Sequence, residues 1–309
     1  MTIAADTVTP SPPPTHYTPR WFFILETIEN SYRAKTCEPV PKVGTLFTSP
    51  NYPYWDIGNC LYIDLEHPEA TDVSLAEMEA AATHAQAKLN ALFSNNPRTP
   101  FYMTIDPNPT SPSHRLFRHW EVVLGTLGYE ATSGHNDDDA SHCMTFHRSQ
   151  LPLLQSLAAT CKQHVVTFAS LQDLQATIDN EPGSQESLGW RTEKCRELLG
   201  RPASVSRTYL CWEDAEVAVS RFMLVRDEKD PCIAFIPRVN TRVEYRRNRY
   251  AKSVLVHGLL DAFNKWPDLE EVALFQGELG PERLYESIGM VKRATRMDVE
   301  FQRQKRARK

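Results

Sequence analysis

The sequence predicts a chain of mixed α/β class, strictly α+β, organised as two domains. Three observations predict it. Short runs rich in β-branched and aromatic residues alternate with stretches of helical periodicity along most of the chain. A length of 309 residues usually means two domains or one large one, and 41% hydrophobic with 24% charged residues is ordinary for a globular protein. The last third runs as strands, a basic loop, a long helix, a strand, a short helix and a final stretch of strand.

From the N-terminus, the Pro-rich opening of residues 1–20 reads as a flexible lead-in. Within Thr48 to Glu66 an apolar strand follows the Gly58-Asn59 pair. "PFYMTID" from Pro100 is a second strand, "SHRLFRHWEVVLGTLGYEA" from Ser113 is a helix ending in Gly128-Tyr129, and "HCMTFHR" from His142 is a strand. "RSQLPLLQSLAATCKQ" from Arg148 is a helix joining the halves. The division therefore falls near Arg148 to Cys161, giving a first domain of 21–150, a second of 151–301 and a basic tail of 302–309. The second domain opens with "HVVTF" and a helix for which Ser170 is the cap. A loop-rich segment from Asn180 to Trp190 follows.

"SRTYLCW" and "AEVAVSRFMLV" are strands parted by a turn at Glu213 and Asp214, and "CIAFIPRVNTRVEY" from Cys232 is the strand that feeds the basic loop. That loop concentrates Arg246, Arg247, Arg249 and Lys252 immediately before a helix. Val254, Leu255, Gly258, Leu259, Ala262 and Phe263 form the helix's apolar face. Such a charge run is either a solvated face or the floor of an anion site. A helix N-terminus suits the second, because its unpaired N–H groups and positive dipole end attract phosphate, but the residues alone leave the solvated face the commoner reading. "VALFQ" from Val272 is the next strand, "PERLYESIGM" from Pro281 a short helix with Pro in its first turn, and "MVKRATRMDVEF" from Met290 a last strand pair.

These motifs resemble the GNAT superfamily of acyl-CoA-dependent N-acyltransferases over about His164 to Phe301. The family loop carries Arg or Gln, two free positions, Gly, one free position, then Gly or Ala; here it reads Arg246-Arg247-Asn248-Arg249-Tyr250-Ala251. The family's later Tyr, shortly before a Gly-aromatic or Gly-Met pair, corresponds to Tyr285 ahead of Gly289-Met290. The chain departs at Arg249, which stands where the family has Gly, and at Glu278, where members often carry a cofactor-contacting Asn. The N-terminal half resembles the later part of such a domain without its basic loop.

The resemblance implies a tandem GNAT arrangement, each domain a mixed, mostly antiparallel sheet flanked by helices, with a degenerate first copy. It implies acetyl-CoA as co-substrate, held by Val239, Asn240, Thr241, Arg246, Arg247, Asn248, Arg249, Tyr250, Ala251 and Lys252. Backbone groups of Val239, Asn240 and Thr241 would polarise the thioester, and Tyr285 would protonate the departing sulfur as general acid. The acceptor would be a small-molecule amine or a peptide. The rival reading, favoured by Arg249 and Glu278, is a catalytically silent GNAT-like binding or scaffold protein.

Other patterns point elsewhere only faintly. His135, His142 and His147 around Asp137, Asp138 and Asp139 match no ligand spacing, and such a run suits a hairpin turn, so no metal is expected. Seven cysteines without a C-x-x-C pair fit a reducing, cytoplasmic setting, and Cys143, Cys211 and Cys232 read as small buried residues. No stretch has the length or hydropathy of a signal or a membrane span. The tail "FQRQKRARK" resembles a nuclear-localisation run, but a net charge of -5 and the lack of an aromatic-basic motif argue against a nucleic-acid partner.

Overall fold

The structure is a computed structural model that describes residues 36–50, 59–65, 67, 69–93, 100–105, 108, 110–132, 140–161, 165–168, 200–214, 217–226, 230–276 and 282–303. The proposed lead-in, the segment from Ser170 through Trp190, Glu278 and the end of the tail lie outside these residues.

In the first half, β1 (Thr36–Val40) and β2 (Gly44–Thr48) form a hairpin, and β2 pairs β3 (Leu61–Ile63) antiparallel. The helix α1 (Leu75–Leu92) then crosses back to β4 (Phe101–Ile105), which lies parallel to β3. The helix α2 (Pro112–Thr126) leads to β5 (Tyr129–Ala131) and β6 (Ala140–His147). A connecting helix, α3 (Leu151–Thr160), opens the second half.

There, β7 (Val165–Phe168), β8 (Ser206–Glu213), β9 (Val217–Arg226) and β10 (Ile233–Thr241) form an antiparallel run. The helix α4 (Tyr250–Lys265) crosses to β11 (Glu271–Gln276), parallel to β10, before α5 (Glu282–Glu286) and β12 (Val291–Arg303).

Each half thus contains one strand–helix–parallel strand crossover, and the two six-stranded halves join in one continuous sheet of twelve. The join is an exchange. β6, from the first half, sits between β11 and β12, whereas the far end of β12, from the second half, sits against β4 and β5. Packing follows the pairing. Met144 and Phe146 of β6 lie in the core around α4, and Val299 and Phe301 of β12 lie in the core around α1 and α2. Strands therefore cross the division near residue 150 in both directions.

Two expectations need correction. "MVKRATRMDVEF" is one unbroken strand and not a strand pair: no Gly, Pro or Asn falls within Val291–Arg303 to make a turn, and the strand changes partner instead of direction. The run from Cys232 stops being strand at Thr241, where a short 3-10 turn over Val243–Tyr245 enters the basic loop. The β1–β2 hairpin and α1 were not anticipated. The buried face of α1 is mostly Met78, Ala81, Ala82, Ala85 and Leu89, which contrasts weakly with its exposed face.

Candidate functional site

β10 and β11 are neighbours for only three residues. Their pairs run from Ile233–Glu271 to Phe235–Ala273, whereas β10 continues to Thr241 and β11 to Gln276. The sequence explains the parting. Pro237 has no N–H to donate, and the β10–β9 register slips by a bulge between Phe235 and Arg238. Past the bulge the pairing with β9 resumes, and Arg242 N–H bonds to the Val219 carbonyl. Alternation along an antiparallel pair then turns the backbone groups of Val239 and Thr241 away from β9, toward the gap beside β11. The Asn240 carbonyl stays on the β9 side, where the Ser220 hydroxyl donates to it at 3.0 Å.

The basic loop follows directly from the β10 side of this gap. Arg247 (φ 68) and Arg249 (φ 67, ψ 10) are both left-handed, a geometry that gathers successive N–H groups into an anion-binding concavity. Arg249 is the N-cap of α4, with no side-chain cap and no acidic residue in the first turn. The helix start keeps its N–H groups and dipole available to an anion. The side chains divide the work. Arg246 Nε donates to the Thr241 carbonyl at 3.2 Å, bracing the loop on the strand end. Tyr250 is buried, and its hydroxyl donates to Glu213 at 2.9 Å, so its ring anchors the loop to the core. Burial and that carboxylate push its pKa up to about 12. Arg247, Asn248 and Arg249 are exposed, and Ala251 is half-buried.

Tyr285 lies on α5, and its distance from Gly289 has a local cause. Met290 N–H bonds to the Tyr285 carbonyl at 3.1 Å and Gly289 N–H to the Glu286 carbonyl at 2.9 Å, the paired bonds of a Schellman cap. Gly289 adopts φ 94, a backbone conformation that favours glycine. The cap is braced from α3's side, because Gln150 Nε2 donates to the Gly289 carbonyl at 2.6 Å. Tyr285 is only 9% exposed, and burial raises its pKa to about 12. Its hydroxyl makes no hydrogen bond among the described residues. It is thus a protonated donor at neutral pH with its proton uncommitted.

Lys252 joins the two elements by donating to the Ser287 carbonyl at 3.1 Å. Beside that bond opens a cleft of about 350 Å³ lined by Arg249, Lys252 and Ser253 of the loop and α4, Leu157, Thr160 and Cys161 at the end of α3, and Ser287. Ser253 is 1% exposed, and its hydroxyl has no hydrogen-bond partner among the described residues. Its place was not legible in the sequence, because the cleft it lines is built from residues of α3 as well as of α4.

No protein-family model matches the sequence, and no curated protein does. Solved structures do. A GCN5-related N-acetyltransferase from Kribbella flavida matches at 13% identity over 93% of this chain and 96% of its own, with a TM-score of 0.58. A tandem GNAT protein from the clavulanic acid biosynthesis pathway matches at 13% identity over 94% of this chain and 96% of its own, TM-score 0.56. A functionally unknown conserved protein from Staphylococcus epidermidis matches at 8% identity over 87% and 94%, TM-score 0.54.

The chain has the tandem GNAT fold.

The two GNAT halves differ at the helix start that follows the parallel strand. In the first half, α1 is closed by its own capping box. Ser74 accepts from Glu77 N–H, while the Glu77 carboxylate accepts from the Ser74 N–H at 2.8 Å and from its hydroxyl at 2.7 Å. A carboxylate already occupies that end and repels a second anion. In the second half the same position is uncapped and cationic. Of the three cysteines considered, Cys143 and Cys211 are buried, and Cys232 donates its thiol to Asp230 at 2.7 Å. Burial raises all three thiol pKa values. The six residues from Ser133 to Asp138, with Asp139, lie outside the description, whereas His142 and His147 are placed on β6.

Proposed function

We propose that this protein is an acyl-CoA-dependent N-acyltransferase, with acetyl-CoA as donor and a small-molecule amine or a peptide as acceptor. The observation that carries the reading is the uncapped, cation-rich start of α4 at the end of a strand pair forced apart at Pro237. The fold supports it, since structural neighbours include GNAT acetyltransferases.

In this reading the left-handed loop and the first turn of α4 hold the coenzyme A diphosphate, and the pantetheine arm enters the gap between β10 and β11. The N–H groups of Val239 and Thr241 face the place where the thioester oxygen gains charge. The neutral acceptor nitrogen bonds to the carbonyl carbon, the carbon–sulfur bond breaks, Tyr285 gives its proton to the leaving thiolate, and the surplus proton on the acceptor nitrogen is lost to water, from which Tyr285 is reprotonated. Arg249 departs from the family's glycine in side chain only, because its backbone takes the left-handed conformation that glycine would supply.

The test has two parts. Coenzyme A should raise the melting temperature, since a ligand binding only the folded state stabilises it by about 2.7 kcal/mol at a hundred times Kd. Thiol release from acetyl-CoA should appear with at least one member of a panel of primary amines and N-terminal peptides. A stabilising response without turnover on any acceptor would favour the silent binding protein. No response at all would remove both readings.

A further inference from the structure

We infer that Gln150 is a positioning residue for Tyr285, so that the segment joining the two halves sets where the proposed general acid stands. The inference rests on the proposed acyl transfer and adds to it a residue outside the acyl-CoA site, supplied by the turn between β6 and α3.

The helix that carries Tyr285 does not hold its own place. α5 has five residues, Glu282–Glu286, and a helix that short is marginal without outside support. Its fixed point is the cap at Gly289, where the Met290 N–H returns to the carbonyl of Tyr285 itself. Gln150 reaches that cap from the other side of α3's start. Its Nε2 donates to the Gly289 carbonyl at 2.6 Å, while its Oε1 accepts the His147 N–H at 2.8 Å. With an acceptor on one side and a donor on the other, the amide has one orientation, since a flipped amide would set carbonyl against carbonyl and N–H against N–H. The turn beneath it is fixed as well, because the Ser149 N–H bonds to His147 Nδ1 at 3.1 Å.

Arg148 ties the same turn to the far end of α4. Its Nε donates to the Leu269 carbonyl at 2.6 Å and its Nη2 to the Trp266 and Pro267 carbonyls at 2.9 and 3.0 Å, and its N–H bonds to the Glu270 carbonyl at 2.7 Å. Carbonyls left over where a helix ends are thereby satisfied. At the other end of α4, Lys252 donates to the Ser287 carbonyl. A ring of hydrogen bonds therefore runs from the start of α4 through the Tyr285 cap and the 147–150 turn to the end of α4. Gln150 is the member of that ring that bonds to the cap and lies outside the basic cleft. Its loss should move Tyr285 and leave the carrier's place intact.

The experiment is steady-state kinetics with acetyl-CoA and the best amine of the panel, together with calorimetric coenzyme A binding, on Gln150→Met and Gln150→Glu, each alone and combined with Tyr285→Phe. Met removes both hydrogen bonds at similar volume, whereas Glu keeps the acceptor for the His147 N–H and sets an oxygen against the Gly289 carbonyl. Both should lower kcat by about tenfold to a hundredfold, the cost of misplacing a reacting group by about 1 Å. The KM for acetyl-CoA and the coenzyme A Kd should change by less than about twofold. Neither substitution should lower kcat further once the Tyr285 hydroxyl is gone, and hydrogen exchange at the Met290 amide should quicken in both. Parent-like kcat in either variant, unchanged exchange at Met290, or an equal fractional loss with and without the Tyr285 hydroxyl overturns the inference and leaves the acyl-CoA reading standing. Loss of native circular dichroism in both variants also overturns it, by making Gln150 a residue of the fold alone. A parent without turnover on any amine overturns the inference and the acyl-transfer reading together.

Discussion

Arg249→Gly separates the two things Arg249 does. Its backbone sits at φ 67, ψ 10, where a residue with a Cβ pays about 1–2 kcal/mol. Glycine removes that cost but adds about 0.5–1 kcal/mol of chain entropy in the unfolded state. The balance is a stabilisation of roughly 0.5 kcal/mol, or a rise of about 1 °C in melting temperature for a chain of this size. The side chain is exposed and bonds to nothing among the described residues, so its removal sacrifices no folded-state contact. Arg249 lines the cleft, and losing one charge-assisted bond to phosphate, about 1.5 kcal/mol, weakens coenzyme A about tenfold. The variant should therefore melt at or slightly above the parent's temperature in scanning fluorimetry, yet bind coenzyme A less tightly in calorimetry. Tighter binding would show that Arg249 obstructs the loop, and a melting point several degrees lower would show that it supports the fold. Either outcome refutes the reasoning.

Four further expectations follow from the same geometry. Phe301→Ala, in the last strand but fully buried in the first half's core, should cost about 3–5 kcal/mol and lower a single calorimetric transition, because both halves melt together. For the same reason, residues 1–150 and 151–309 produced separately should each show the circular dichroism of an unfolded or molten chain and recover native signal when mixed. Separate native folding of either would deny that the exchanged strands are needed. Tyr285→Phe should cut turnover on whichever amine the panel identifies by about 10²-fold or more with cofactor affinity little changed, and the parent should show no basic limb near pH 10, since burial holds the phenol's pKa at about 12. Burial depresses His142, with Lys292 adding to the effect and Glu282 opposing it, and burial depresses His257. The unfolded chain then takes up protons at the ordinary value of 6.5 while the folded chain takes them up only lower, so stability should be full above that value and fall as pH drops through the depressed ones.

How much of this was legible beforehand varied with the kind of signal. The helix α4 was readable because large apolar residues recur on one face from Val254 to Phe263. The Tyr285–Gly289 spacing was visible too, and the structure gives it a reason independent of chemistry, a glycine cap that ends α5. Helix α1 hid behind alanines, although Ser74 and Glu77 spelled its capping box. Pro237 in a strand-like run signalled the parting of β10 and β11 and went unread. The exchange of β6 and β12 has no local signature, because each strand's own pattern specifies a buried face without specifying its neighbour. Ser253 and Thr160 were invisible for a related reason: they become a site only when α3 packs on α4.

The central claim is a single acyl-CoA site, at the start of α4, with the equivalent helix start in the first half closed by Ser74 and Glu77. Calorimetric stoichiometry tests it most directly. Titrating acetyl-CoA into the full chain should give one molecule bound per chain, unaffected by Glu77→Gln and abolished at accessible concentrations by Lys252→Glu, which places a carboxylate at the uncapped helix start. Two molecules per chain, or one that survives Lys252→Glu but responds to changes at Ser74 and Glu77, would contradict the account.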